Sequence, residues 1–395
     1  MGETADVVVI GAGAMGCSIA FHLARAGAGR VLVLDKGGIC SGMTYRSGAL
    51  VRLHYTNPHE ARLALKAYEY FHHWEDLVGG ACGFQQTGFL FVVGQEQVAA
   101  LRHNVAMLRT LGVDTEVVSP EDVREAQPFA RVDDIGAAAY EPHSGYADPV
   151  KTTLSFAAAA QRYGAEFRTS CPVTAIRVAG GRVRGVDTAA GPIDAGAVVC
   201  AAGPWAPALL RTAGIEFSIR PVLAEVVYFR RPPETALGHM VYIDRAAGSY
   251  FRPADGRMTF VGAGHGEPRL GDPDHLLDRN TPGQEELARA RIAARIPAYQ
   301  AAAYTYGHQG VYDMSEDGKA VLDRAPGVEG LFIAGGFSGT GFKKSPAVGL
   351  VMSELVLGRE PSVPIHAFRF TRFAEGEPIR GEHEYGFVES AQLSI

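Results

Sequence analysis

The sequence predicts an α/β plus α+β fold: a Rossmann-like dinucleotide-binding domain interleaved with a second domain built on a mainly antiparallel sheet. Three observations carry this expectation. A strand, a glycine turn, a helix, a second strand and an acid follow one another over residues 6–35. A β-rich stretch runs from residue 219 to 261. A second buried strand ending in glycines, residues 330–336, stands before another helix near the end of the chain.

Taken in order, Asp6-Val7-Val8-Val9-Ile10 is a short β-branched run of the kind that forms a buried parallel strand. Gly11-Ala12-Gly13-Ala14-Met15-Gly16 turns the chain. Residues 17–26 then place Ile19, Ala20 and Leu23 at helical spacing, and Gly27 ends the helix. The second strand, 31–34, finishes at Asp35. Residues 58–78 read as a helix packing through Leu63, Ala67, Tyr70, Phe71 and Trp74, residues 88–93 as a strand and 96–111 as a helix. A helix over 149–163 has Asp148 as its cap and Pro149 in its first turn, where the missing N–H removes no helix bond. Short strands follow near 172–178, 182–187 and 197–201. The run 224–229, 240–243, 249–252 and 258–261 suggests antiparallel pairing. A strand over 330–336 and a helix over 345–357 come last, before an irregular tail that wraps the surface. The expected domains are 1–82, 148–215 and 316–358 for the dinucleotide, 83–147 and 216–315 for the substrate, and 359–395 as the tail.

Composition excludes several classes. The 395 residues suit two domains. A hydrophobic share of 47% with 20% charged residues excludes a disordered or collagen-like chain. No window nears the roughly 18 apolar residues of a membrane span, and the polar start Gly2-Glu3-Thr4 lacks the pattern of a secretion signal. A cytoplasmic location without a membrane span is the expectation. The 37 basic residues face 43 acidic ones, so no nucleic-acid-binding face is expected. The scattered cysteines form no C-x-x-C, and there is no H-E-x-x-H. No metal site is expected, and most of the cysteines read as small buried hydrophobes.

The glycines carry the chemistry. Gly11 allows the tight turn, Gly13 lets a pyrophosphate approach the backbone, and Gly16 allows close helix–strand packing. The helix start offers free N–H groups and a positive dipole end. Asp35 stands 19 residues after Gly16, where an acid accepts ribose hydroxyls. A second glycine-rich junction at 335–343 does not belong to a simple NAD domain. It makes sense for a long flavin cofactor lying across the sheet, with its ring end at this second junction.

With Ser47-Gly48-Ala49-Leu50-Val51-Arg52, Ala201-Ala202-Gly203-Pro204-Trp205 and Tyr250-Phe251-Arg252-Pro253 added to the two glycine motifs, the chain resembles the D-amino-acid oxidase superfamily of FAD enzymes. Within it the likeness is to sarcosine oxidases, glycine oxidases and dimethylglycine dehydrogenase-like members. The resemblance implies non-covalent FAD contacted by Gly11, Gly13, Ala14, Met15, Gly16, Asp35, Lys36, Ser41, Thr44, Ser47, Gly48, Val173, Ala202, Gly203, Trp205, Gly310, Gly336, Ser338, Gly339, Thr340, Gly341, Phe342 and Lys343. It implies that Arg52 and Lys343 grip a substrate carboxylate and that Tyr250 and His265 stand beside the substrate. Structural alternatives stay open: a surface ion pair for Arg52, a helix-start surface lysine for Lys343, a sheet aromatic for Tyr250. His308 and Gln309 are read as structural neighbours of the flavin, and Lys344 as solvated.

Two positions depart from the family pattern. Gly310 stands where sarcosine oxidases anchor flavin through a cysteine. Thr259 or Phe260 stands where they carry an oxygen-activating lysine, and no lysine lies between Lys151 and Lys319. The implied activity is oxidation of the C–N bond of a small amino acid or N-alkyl amino acid to an imine, which water hydrolyses. The partners are a small carboxylate-bearing amine and oxygen, or a protein or quinone electron acceptor. A flavin-dependent hydroxylase, or an FAD-bound subunit of a larger dehydrogenase or tailoring complex, is the alternative.

Overall fold

The computed structural model describes residues 2–264 and 268–385. Its first sheet has eight strands. Six lie in the order Val173–Ala179, Arg182–Thr188, Gly191–Cys200, Glu3–Ile10, Val31–Leu34 and Glu166–Arg168. Leu331–Gly335 lies beside Gly191–Cys200 and pairs in turn with Val321–Arg324. Five of its strands run parallel, from Leu331–Gly335 across to Glu166–Arg168, so their carboxyl ends meet on one edge. There Ile10 faces Leu34 and Cys200, and Cys200 faces Ile333. Alternate side chains serve two cores: Val7 and Val9 pack into one, Val8 and Ile10 into the other. Burial on both faces explains why these strands read as continuous apolar runs.

The helix Ala14–Arg25 packs between Pro149–Arg162 and Ser345–Val356. Gly349 rests on Ser18, where a Cβ would come within 2.1 Å of the Ser18 hydroxyl and 2.7 Å of its carbonyl oxygen. That close approach sets the helix after the first glycine turn against the helix after the second.

The second sheet is also eight-stranded, in the order Tyr304–Met314, Arg220–Arg230, Met258–Ala263, Ser249–Ala254, Val241–Asp244, Phe89–Val93, Ala137–Glu141 and Glu116–Val118. Every pair is antiparallel except Val241–Asp244 with Phe89–Val93. The helix Gln284–Arg295 covers one face through Ala288 and Ile292. Among the described residues no helix is long and apolar enough to cross a membrane.

Several local expectations need correction. The helix expected over 58–78 breaks at His73 into Pro58–His72 and Trp74–Leu77. The strand expected near 224–229 is longer, Arg220–Arg230, because it pairs along most of its length with Tyr304–Met314, a strand the sequence reading had not singled out. The tail is tied down: Arg372 is fully buried and its guanidinium meets the Asp317 carboxylate at 2.8 Å.

The helix Gln284–Arg295 is fixed to the second sheet by charge. Arg295 Nε lies 2.7 Å from Asp244, both fully buried, and Arg295 also reaches Asp134 at 2.8 Å. Arg295→Met would strand the Asp244 carboxylate in the core. Breaking a buried pair from one side costs about 3–5 kcal/mol. The expected outcome is an unfolding free energy lower by that amount in a denaturant titration, seen as a lower midpoint; an unchanged midpoint would show that Asp244 is satisfied without Arg295.

Candidate active site

A cavity of about 790 Å³ lies along the carboxyl edge of the first sheet. One wall is that edge, with Ile10, Leu34, Ala201 and Ala334. The segment from Ser41 to Arg52 lines another side, and His308, Gly310 and Tyr312 from the outer strand of the second sheet face it. Open parallel sheets hold ligands at this edge.

At one end the glycine turn is built as expected. Gly11 has φ 106°, and a Cβ there would lie 2.5 Å from the Ala201 carbonyl oxygen. Gly16 is packed on Gly11, with 1.8 Å between its virtual Cβ and the Gly11 carbonyl oxygen, so it shapes the turn without facing the cavity. Gly13, Ala14 and Met15 do face it. The Ala14 N–H donates to Thr44 Oγ1 at 3.1 Å, and the first turn of this helix carries no acid. Its positive end is therefore open to an anion. Asp35 accepts from the Ala12 N–H at 2.6 Å and the Gly37 N–H at 2.7 Å, tying the turn to the second strand. Lys36 lies over the Trp205 ring at 3.9 Å, and both side chains meet Asp274. Ser41, Ser47, Gly48, Val173, Ala202 and Gly203 also line this space.

At the second junction Gly339, Gly341, Phe342 and Lys343 face the cavity. Gly336, Ser338 and Thr340 stand off the wall. Gly336 lies against Ile219 and Ser315, Ser338 is buried and accepts from the Ser315 N–H at 3.1 Å, and Thr340 turns to a neighbouring cavity. Asp313 anchors this loop by accepting from the Phe337 N–H at 3.1 Å. Burial pushes its carboxyl up to about 6 despite that bond.

The chemistry concentrates between the two junctions. Arg52 is only 1% exposed. It donates to the His54 carbonyl, while its Nε and Nη2 have no partner among the described residues. Lys343 is 6% exposed. Burial holds its ammonium well below the usual lysine range, and Arg52 and Lys344 add to the depression while Glu60 opposes it. Lys344, expected in solvent, is instead fully buried in an ion pair with Glu60, which also meets Lys319 at 3.3 Å. Glu60 satisfies the second lysine of the pair and leaves the first facing the cavity. Tyr250 lines the cavity with its hydroxyl 2.9 Å from that of Tyr312. Its ring lies across Gly262, where any Cβ would collide at 2.1 Å.

Tyr312 was missed by the sequence reading, although it sits two residues after Gly310 and so on the same face of one strand. Arg46 was missed as well; it donates to the Gln309 carbonyl at 2.8 Å and pairs with Asp278. Gln309 is buried and structural, whereas His308 lines the cavity. Of the two candidates for the departed lysine, Thr259 turns away to Tyr299 and His239. Phe260 lies against cavity-lining Gly48, its ring 3.0 Å from where a Cβ would be. His265 lies outside the described residues.

A glycine cradle, an acid-free helix start and two unmatched buried cations at the far end fit an adenine dinucleotide carrying an organic ring. Fold and site thus define a dinucleotide-dependent oxidoreductase. Residues 6–355 match the model of the DAO family, FAD dependent oxidoreductase, and the chain belongs to that family. It is 28% identical to human mitochondrial sarcosine dehydrogenase over 94% of its length, but spans only 42% of that protein. It is 26% identical to sarcosine oxidase subunit beta of Arthrobacter sp, covering 95% of this chain and 92% of that one. The solved L-proline dehydrogenase from P.horikoshii superposes with a TM-score of 0.89 at 28% identity, over 96% and 100% of the two chains. Glycine oxidase from Geobacillus kaustophilus gives 0.82 at 25% identity, over 94% and 99%.

Gly13 tests the cofactor cradle. A Cβ there would stand 3.0 Å from the Thr44 hydroxyl, and valine adds bulk where the pyrophosphate must approach. Purified Gly13→Val should lose most of the yellow flavin absorbance; full colour would refute the cradle.

Proposed function

We propose that the chain oxidises the C–N bond of a small amino acid or N-alkyl amino acid to an imine, with water completing the hydrolysis. The observation that carries this reading is the pair of buried basic side chains, Arg52 and Lys343, that face the cavity with no ion-pair partner among the described residues. Burying unmatched charge is costly, so such a pair is best explained by a ligand that supplies the opposite charge. A carboxylate suits a guanidinium fork beside an ammonium. The bound flavin supplies the two-electron acceptor. The chain holds the carboxylate at one point, which fixes where the neighbouring carbon lies, a proximity contribution. Leu50, Val226 and Ile243 give the cavity an apolar lining, and the Tyr250–Tyr312 hydroxyl pair offers a polar contact. The interleaved domain boundaries expected from the sequence belong to this proposal. The names of the relatives, sarcosine, proline and glycine enzymes, agree with a small amino-acid substrate. A second reading, an FAD-bound subunit of a larger assembly, is favoured by the near full-length match to a sarcosine oxidase subunit. Size-exclusion chromatography of the natively expressed protein separates the two.

The clamp is tested by Arg52→Ala and Lys343→Met. Removing one partner of a desolvated charge pair costs about 2–5 kcal/mol, so substrate affinity should fall by roughly 30-fold to several thousand-fold with FAD content near normal. The amine lacking its carboxylate should be a poor substrate of the parent and gain relative ground in the variants; equal turnover by the parent refutes the clamp. Because the Lys343 pKa is depressed, the lysine loses its charge as pH rises through that lowered value. Binding of an inert carboxylate such as propionate should therefore weaken as pH rises, and Lys343→Met should abolish that limb of the profile.

With Gly310 in place of a cysteine, the flavin is expected to be non-covalent. Acid precipitation should release all of it to the supernatant, and colour left on the pellet would show another anchor.

Phe260 carries no charge at the position of the sarcosine oxidase lysine, and the nearby Arg252 guanidinium, 5.0 Å from the Phe260 ring, is committed to the Gly48 carbonyl and does not line the cavity, so that position offers oxygen no lysine ammonium. Reduced enzyme mixed rapidly with oxygen should reoxidise more slowly than lysine-bearing sarcosine oxidases, and more slowly than with a quinone. The reverse order would place the activating charge elsewhere.

A further inference from the structure

A second cavity of about 690 Å³ shares a wall with the first. Neighbouring residues alternate between the two: Arg52 faces the first and His54 to Thr56 the second, while Gly339 and Gly341 face the first and Thr340 the second. The Tyr55 ring stands in this partition, 4.8 Å from the Arg52 guanidinium and 4.9 Å from the Lys344 ammonium. Tyr55 is 5% exposed and its hydroxyl has no partner among the described residues; the same holds for Nδ1 of His54, which is 2% exposed. Unpaired buried polar atoms are costly unless something polar visits them.

The cavity grades from an exposed rim to a buried floor. Glu316, Arg380 and Glu384 are exposed at the rim, with Arg245 and Lys319 further in. From Lys319 a buried chain of ion pairs runs through Glu60 to Lys344, the residue next to Lys343. Both signs of charge line this space, as a zwitterion requires. The far side of the partition presents the unmatched cations that take a carboxylate.

We propose that the second cavity is the antechamber through which a zwitterionic amino acid reaches the Arg52–Lys343 clamp, with the Tyr55 ring as the movable partition. The proposal rests on the clamp reading of the proposed function. Arg52 and Lys343 are 1% and 6% exposed and face the cavity that a bound dinucleotide would fill, so a route from the second cavity would bypass the cofactor. Tyr55 packs with Leu53, Ala61 and Ala64, and rotation of its ring away from Arg52 is the movement that the proposal requires.

A partition controls rates without changing the equilibrium, and this separates it from the clamp. Propionate binding to the FAD-loaded protein is followed by stopped-flow perturbation of the flavin band, in the parent, Tyr55→Trp, Ile379→Trp and Tyr55→Ala. Ile379 lines the second cavity only, so its enlargement touches no clamp residue. The two tryptophan variants should lower the association and dissociation rates together, each about tenfold, with Kd changed by less than about threefold. Tyr55→Ala should not slow association. Association unchanged in both tryptophan variants, with propionate still binding the parent tightly enough to measure, overturns the antechamber and leaves the clamp intact. A change in Kd carried by dissociation alone makes Tyr55 part of the clamp and also overturns the partition. Failure of propionate to bind the parent at all refutes the clamp, and the antechamber with it.

Discussion

Where Ser345–Val356 crosses Ala14–Arg25, Gly349 sits on Ser18 with no room for a side chain. The rest of the architecture depends on that approach. It holds Ser345–Val356 against Ala14–Arg25, so the glycine junctions that precede them open into one cavity. The parallel strands Glu3–Ile10, Gly191–Cys200 and Leu331–Gly335 then end side by side. The outer strand Tyr304–Met314 brings Gly310 and Tyr312 across from the second sheet to close the far wall.

Electrostatics around the site follow from how few acids the core admits. Glu60 is buried, accepts from Asn57 and meets both Lys344 and Lys319. These interactions keep its carboxyl well below the usual range despite burial. Glu141 lies near Arg52, but Ser144 and the Leu53 N–H already use its Oε2, and burial pushes its pKa up to about 7. Among the described residues, Arg52 and Lys343 therefore have no ion-pair partner. A fold selected for stability alone would neutralise or expose them; unresolved local costs of this kind concentrate where ligands bind. Lys343 and Lys344 are adjacent on one short turn, yet one is matched and the other is not.

The antiparallel sheet does more than carry substrate residues. Its pairing fixes which face each residue takes. Opposite Gly262 the Tyr250 ring lies flat across the strand, and opposite Arg252 stands Phe260, in line with Gly48. Arg252 donates to the Gly48 carbonyl, so the same register holds the cavity-lining segment in place.

Local chemistry in the sequence determined the βαβ unit, the Asp148 cap of the helix Pro149–Arg162, the second glycine junction and the family. A glycine turn between β-branched runs is a short-range pattern that survives any tertiary context. The helix Gln284–Arg295 escaped notice because alanines and charged residues fill most of it and Leu287 and Ile292 are its only large apolar side chains. Tyr304–Met314 escaped because two glycines interrupt it and its first residues are exposed. Strand alternation left Thr259 and Phe260 equivalent, and only the register against Ser249–Ala254 turned one to the cavity and the other to Tyr299. Likewise, adjacency along the chain says nothing of which lysine of a pair meets an acid. Glu60 lies 284 residues from Lys344, and a contact at that separation exists only once the helix Pro58–His72 has packed against the turn that precedes Ser345–Val356.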